Sequence, residues 1–316
     1  MPAPQRALYA DPDAALSALL GELKARGYAF VTPTPATHAR VIARADRRTA
    51  RDLADVLGWS LPFEPGLVEP ALLALLESAG QILPHGTLLR AACRVSSLHG
   101  HLFLHSAYPT EAEDAVFFGP DSYRFADFVT AGLHDCERAR IVDIGTGAGV
   151  GGIVAADACP DARVTLTDIN PQALRCARIN AAFAGLDVEL VEGDGLAGVE
   201  GEIDVAIANP PYIIDAEGRA YRDGGAMHGA RLSLDMAREA AGRLSRGGRL
   251  LLYTGSAIVR GRDALKAELE AMMADLGCSL DYRELDPDVF GEELDQPGYA
   301  DVDRIAVVGA VATRRR

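Results

Sequence analysis

The sequence predicts an α/β fold: a doubly wound, largely parallel sheet in the C-terminal two-thirds, preceded by a mainly helical domain. Three observations carry that expectation. From Arg140 onward, short apolar strands alternate with helical segments. A glycine-rich turn joins the first of these strands to the first helix. The 316 residues exceed what one hydrophobic core supports, so two domains are expected, 1–108 and 109–316.

The N-terminal part reads as helices followed by a hairpin. Asp11-Pro12 opens a segment with Leu16, Leu19, Leu20 and Leu23 on one stripe, closed by Gly27, which supplies both the start and the stop of an amphipathic helix. Thr34-Pro35 opens a second helix. Thr49-x-x-Asp52 resembles a capping box ahead of Leu53, Val56 and Leu57, with Gly58 as the stop. A further apolar helix is expected over 68–76. Runs 88–95 and 102–105 flank Ser96–His101, with Gly100 at the bend, a strand–turn–strand pattern. Helices and then a hairpin is the element order of a winged-helix domain.

In the C-terminal part the expected strands are 140–144, 163–167, 188–191, 203–208 and 249–253, with 279–284 and 304–311 closing the chain as a hairpin. Helices are expected over 150–158, 171–183, 232–244 and 263–276; the third residue pair of note, Asn170-Pro171, places a cap and then a proline at the first helical position.

The turn reads Asp143-Ile-Gly145-Thr146-Gly147-Ala-Gly149. Glycines here let the chain turn sharply and let a ligand approach the main chain, and a nucleotide-like cofactor suits such a turn. Gly147-x-Gly149-x-x-Gly152 also satisfies a dinucleotide fingerprint, which raises a nicotinamide reading. The acids around the turn decide against it. Asp143 stands two residues before the first glycine, and Asp168 ends the next strand, 23 residues after Gly145, followed by Ile169. A carboxylate there can accept from both hydroxyls of a ribose. A third acid, Asp194, follows the third strand, where it would face an adenine amino group. With Asp143–Gly149 and Asp168 in these positions, the chain over about 110–316 resembles the class I S-adenosylmethionine (SAM) methyltransferases. The resemblance implies a seven-stranded Rossmann-like core. It also implies a SAM site formed by Asp143, Gly145, Thr146, Gly147, Gly149, Asp168, Ile169, Asp194 and Asn209.

The fourth strand empties into Asn209-Pro210-Pro211-Tyr212. The Asn209 side-chain carbonyl and the Pro210 main-chain carbonyl are two acceptors fixed close together, matched to the two hydrogens of a planar amino group. Tyr212 offers a flat face for stacking. Holding both hydrogens while aiming the nitrogen at a methyl donor favours a cationic, tetrahedral transition state. Asn209, Pro210 and Tyr212 are therefore the expected catalytic residues. Asn-Pro-Pro-Tyr in this place is similar to the amino-methyltransferase subgroup, which includes the release-factor glutamine methyltransferases and the small-domain methyltransferases. Its members methylate glutamine side-chain amides or exocyclic amino groups of nucleobases. A protein glutamine is the first expectation and a nucleobase of rRNA, tRNA or DNA the second. A SAM-binding, DNA-binding regulator without catalysis is a third, opposed by the intact motif.

Val116–Phe125 lies where the glutamine enzymes carry a segment that covers the cofactor, although Asp-Ser-Tyr-Arg follows Pro120 in place of their Arg-Pro-Glu-Thr. Asp223–Gly229 reads as a glycine-rich substrate loop. Arg40, Arg44, Arg47, Arg48 and Arg51 fall at near-helical spacing, which reads first as a solvated helix flank and second as a contact for RNA or an acidic protein. The net charge is −14. Residues 1–108 hold ten Lys/Arg against nine Asp/Glu, so the C-terminal part carries the whole negative excess and repels phosphate backbones. No apolar stretch approaches a membrane span, and Met1–Leu8 lacks the apolar run of a secretory signal. Five cysteines without a Cys-x-x-Cys suit free thiols in a cytoplasmic protein. The seven histidines show no metal spacing apart from the pair His99-Gly-His101, which reads first as surface decoration of a turn, so no metal is expected.

Overall fold

The computed structural model describes residues 11–134, 136–214 and 222–315; the Met1–Leu8 segment lies outside them. The described chain groups into two compact units. One runs through Tyr123 and includes Arg175–Asp187; the other comprises Arg124–Leu174 and Val188 onward.

In the first unit, α1 (Pro12–Ala25) is capped by Asp11, whose side chain accepts from Asp13 N at 3.0 Å. Its Leu16, Leu19, Leu20 and Leu23 are the buried stripe that the spacing predicts. Helix α2 (Pro35–Ile42) is capped by Thr34. Helix α3 (Leu53–Leu57) is capped by Asp52, which accepts from Asp55 N at 2.8 Å, so the cap is Asp52 itself and not the Thr49 of the expected box. Helix α4 spans Pro70–Ser78, beginning at its proline rather than at Val68. Two antiparallel hairpins follow: β1 (Ile82–His85) with β2 (Leu88–Ala91), and β3 (Cys93–Leu98) with β4 (His101–Ser106). The second is tighter than the expected Ser96–His101 turn. Only His99 and Gly100 link the strands, both at positive φ (48° and 81°), the backbone of a two-residue hairpin turn that matches strand twist. Cys93, Val95, Leu102 and Leu104 point into the helical core. The opposite face carries a buried polar layer: Ser96 Oγ lies 2.8 Å from His105 Nε2, and Arg94 Nε donates to Gly58 O at 2.8 Å.

The second unit begins within α5 (Pro120–Gly132), and the chain continues β5 (Arg140–Ile144), α6 (Val150–Ala158), β6 (Arg163–Asp168), α7 (Pro171–Ala184, which from Arg175 on belongs to the first unit), β7 (Glu189–Glu192), β8 (Ile203–Ala208), α8 (Arg231–Arg243), β9 (Leu244–Val259), β10 (Arg262–Asp263), α9 (Ala264–Asp275), β11 (Cys278–Asp286) and β12 (Arg304–Arg314). Strand order is β11-β12-β9-β8-β5-β6-β7, with β10 paired to β9. The five central and edge strands β5–β9 run parallel, and β12 is antiparallel to both neighbours. Parallel strands buried on both faces need continuous apolar runs, and Ile141, Val142, Ile144 and Val205–Ala208 supply them. The chain reverses direction of winding at β5, between β6 and β8, and ligands of such sheets bind beyond the strand ends at that point.

The expectation of free cysteines is overturned at one pair. Cys136, just before β5, and Cys159, at the end of α6, form a disulfide with Cα atoms 5.9 Å apart. A strand and the helix that packs back on it return the chain to the edge where the strand began, which brings these two residues within bridging reach. Cys93, Cys176 and Cys278 are free. Among the described residues no helix is long and apolar enough to cross a membrane, and no cluster of three metal-ligating side chains is found.

Candidate active site

The glycine-rich turn leaves β5 at Ile144 and enters α6 at Val150. Gly145, Gly147 and Gly149 adopt φ of 67°, 55° and 89°, a left-handed backbone that side-chain-bearing residues rarely hold. Gly152 has another task. A Cβ there would lie 2.0 Å from Leu166 Cδ2, so its bareness seats α6 on the sheet.

Asp143 lies beneath the turn rather than open to a ligand. Thr146 Oγ1 donates to its Oδ2 at 2.6 Å and Gly152 N at 2.8 Å. Burial pushes its carboxyl up to about 6, against the pull of those two donors. Asp168 ties the turn to the tip of β6. Gly147 N donates to Oδ2 at 2.9 Å and Asn170 N to Oδ1 at 2.8 Å, while Thr146 N donates to Thr167 O at 2.9 Å. Its carboxyl is raised by burial, opposed by these backbone donors. Each Asp168 oxygen accepts one of those bonds and keeps a further lone pair. Ile169, next to it, is 61% exposed, an isolated large apolar side chain at a strand tip. Asp194 is exposed. Its neighbours are held by Glu239 of α8, whose carboxylate accepts from Leu196 N at 3.3 Å; nothing local in the sequence singles out Glu239.

The register places the two motifs side by side. Ile144 pairs with Ala208 across β5 and β8, so Gly145 and Asn209 leave neighbouring strands about 5 Å apart. Pro210 is buried and Asn209 half-buried. Tyr212 is 7% exposed, with its ring against β9: a Cβ on Gly255 would lie 2.1 Å from Tyr212 Cδ2. Its ring also meets Phe290 edge-on at 5.8 Å. The flat face expected to stand free is thus largely covered. The Asp223–Gly229 stretch braces the motif's main chain. Gly224 N donates to Ile213 O at 2.9 Å, and a Cβ on Gly229 would lie 2.4 Å from Tyr212 O. Gly255 and Phe290 carry no sequence signal that points to Tyr212; only the fold brings them there.

The arginine stripe is not one helical face. Helix α2 ends at Ile42, and Ala45–Arg47 is a single 3-10 turn. Arg47 and Arg51 both pair with Asp55, at 2.7 and 3.1 Å, which leaves Arg40, Arg44 and Arg48 as the exposed members outside that pairing. The segment expected to cover a cofactor is partly helical, with Pro120 opening α5.

A parallel sheet reversed at β5, an antiparallel β12 inserted beside β9, and a glycine turn tied to a second-strand acid define the α/β methyltransferase class. The family model of the methyltransferase small domain matches residues 126–274. The release factor glutamine methyltransferase of Moorella thermoacetica is 33% identical over 239 residues, covering 69% of this chain and 82% of that protein. The enzyme of the same name from Deinococcus radiodurans is 42% identical over 148 residues, 43% of this chain and 52% of that protein. Ribosomal RNA small subunit methyltransferase C of Ectopseudomonas mendocina is 28% identical over 180 residues, 53% and 48% of the respective chains. The chain belongs to the class I SAM-dependent methyltransferases, in the family of the release factor glutamine methyltransferases. The alignment spans about half of the Deinococcus and Ectopseudomonas relatives.

The residues present fit the cofactor. The left-handed glycines leave the turn bare for close approach, Asp168 keeps acceptor capacity for two hydroxyls, and Ile169 offers an apolar surface beside it.

Proposed function

We propose that this enzyme N-methylates the side-chain amide of a protein glutamine. The observation that carries the reading is the placement of Asn209-Pro210 at the end of β8, in register with the glycine turn at the end of β5. Bound SAM supplies an electrophilic methyl group. Asp168 would hold the ribose hydroxyls, Ile169 would cover the adenine and Asp194 would meet its amino group; Gly145, Thr146, Gly147 and Gly149 would line the site, with Asp143 bracing them from below. The Asn209 Oδ1 and Pro210 carbonyls would accept the two amide hydrogens. An amide nitrogen is a weak nucleophile because its lone pair is delocalised, and two fixed acceptors stabilise the positive charge that builds on it as the new bond forms. The proton leaves afterwards, so no strong base is required. Tyr212 seats the loop through Gly255 and presents its remaining edge to the acceptor.

We further propose that residues 1–108, of winged-helix type, recognise the acceptor and that 109–316 catalyse, in the cytoplasm. The rRNA methyltransferase relative favours a second reading, in which the amino group belongs to a nucleobase.

The test is tritiated-methyl transfer from SAM into extract of cells lacking the enzyme, with the label traced to protein, RNA or DNA. Label is expected in one protein band, lost when the modified Gln is changed to Glu. Asn209→Ala should lower turnover by at least about a hundredfold while SAM affinity stays within a few fold. Label confined to RNA or DNA overturns the protein reading, and loss of SAM binding in Asn209→Ala overturns the role given to that residue.

A further inference from the structure

The antiparallel pair β11–β12 needs only a short turn to close, yet the chain leaves the sheet between them for the seventeen residues Pro287–Asp303. This excursion is ordered by its own anchors. Val289 N donates to Ile305 O at 2.9 Å, Asp303 N to Ile258 O at 2.8 Å, and two 3-10 turns, Gly291–Asp295 and Pro297–Tyr299, run between them. Its inner side meets Tyr212 and the segments that follow the Asn209–Tyr212 loop at four separate places. Ile214 N, two residues past Tyr212, donates to the Tyr299 hydroxyl oxygen at 2.8 Å, and Tyr299 is 1% exposed. Glu293, itself buried, accepts from Arg222. Asp301 Oδ1 lies 3.0 Å from His228 Nε2. Phe290, held at φ 54°, sets its ring against Tyr212.

These contacts share a geometry. Asn209 is fixed on one side by β8; beyond Tyr212, in place of a named strand, the described chain has an isolated bridge between Ile213 and Asp223. Tyr299 and Glu293 hold the two segments that continue from the loop, and His228–Asp301 holds the far end of the glycine stretch that braces it. A bulky non-glycine residue in the left-handed region, as at Phe290, persists only where the surroundings determine it.

We propose that the Pro287–Asp303 excursion is a positioning element for the acceptor-holding loop and that Tyr299 is its principal positioning residue. It fixes the exit of the Asn209–Tyr212 loop through Ile214, so that the Asn209 and Pro210 carbonyls keep one aim. The assignment of those carbonyls rests on the function proposed above; the anchoring of the loop does not.

The experiment separates the two. Tyr299→Phe deletes one acceptor atom and keeps the ring. Amide hydrogen exchange at Tyr212, Ile213 and Ile214 should accelerate about tenfold or more, with β8 and β9 unchanged and SAM affinity within twofold. With the acceptor recovered by extract labelling, kcat should fall about tenfold while the acceptor KM stays within about threefold. Glu293→Gln, which keeps shape and loses the ion pair with Arg222, should move both readouts in the same direction by less. Unchanged exchange at 212–214 overturns the proposal, as does acceleration spread evenly over the sheet or a normal kcat with a loosened loop. The exchange measurement decides the anchoring whether or not an acceptor is found; wild-type enzyme that labels no protein refutes the proposed function instead.

Discussion

Two carboxylates of the glycine turn differ in what they touch, and single substitutions should separate them. Asp168 accepts from the Gly147 and Asn170 amides and keeps further acceptor capacity. Asp168→Ala should weaken SAM binding by ~2–4 kcal/mol, roughly 30- to 1,000-fold. Calorimetry checks this, and a change of less than threefold would remove Asp168 from the ribose site. Asp143 faces inward and should act on stability. Its carboxyl ionises near 3.8 in the unfolded chain and at about 6 in the fold. Between those values the unfolded chain loses its proton first, so this group's contribution to stability falls as pH rises, by ~3 kcal/mol across the window, and then levels. The buried imidazoles act in the opposite sense. His38 is lowered to about 4 and His105 well below its usual value, both by burial first, so what they contribute is present above about 6.5 and lost on acidification. Comparing wild type with Asp143→Asn cancels the histidines. Urea unfolding from pH 4 to 7 should show the wild-type advantage shrinking up to pH 6 and constant above it. A difference independent of pH would mean that Asp143 titrates as it does in the unfolded chain.

At the scale of elements, the motif loop depends on a bare position on a neighbouring strand. Gly255→Ala places a methyl group inside the Tyr212 ring's present volume. Overpacking of this kind costs ~1–3 kcal/mol. The variant should melt lower, keep SAM affinity within a few fold, and lose methyl transfer by about tenfold or more; unimpaired transfer would show that the ring can sit elsewhere. Gly255 also marks the limit of reading this site from sequence. Asp143–Gly149, Asp168 and Asn209–Tyr212 are legible because each is a short local pattern at a strand end. Gly255, Phe290, Tyr299 and Glu239 lie 43 or more residues from the groups they serve, and no local pattern links them. The helices of the first unit follow from stripe and cap, and the start of α4 shifts from Val68 to Pro70 because proline suits the first helical position. The arginine run misleads for a physical reason: near-helical spacing continues past Ile42, but the helix does not.

Across the whole molecule, one covalent link ties two ends of a βα unit. Cys136 and Cys159 are 23 residues apart, and closing a loop of that size stabilises a fold by about 3 kcal/mol. Cys159→Ser, or reductant, should lower the urea midpoint accordingly. Alkylation in denaturant without reductant should label three cysteines; five would deny the bond. Burial pushes the Cys93 and Cys176 thiols up to about 12, so in the folded protein both should react slowly. The same bond makes a closed ring of the main chain from 136 to 159, and the whole glycine turn lies on that ring. A protease cut anywhere on it opens the ring without dividing the molecule. Two fragments should separate on a denaturing gel only after reductant is added, and a nicked turn can be studied while both halves of the polypeptide remain one covalent body.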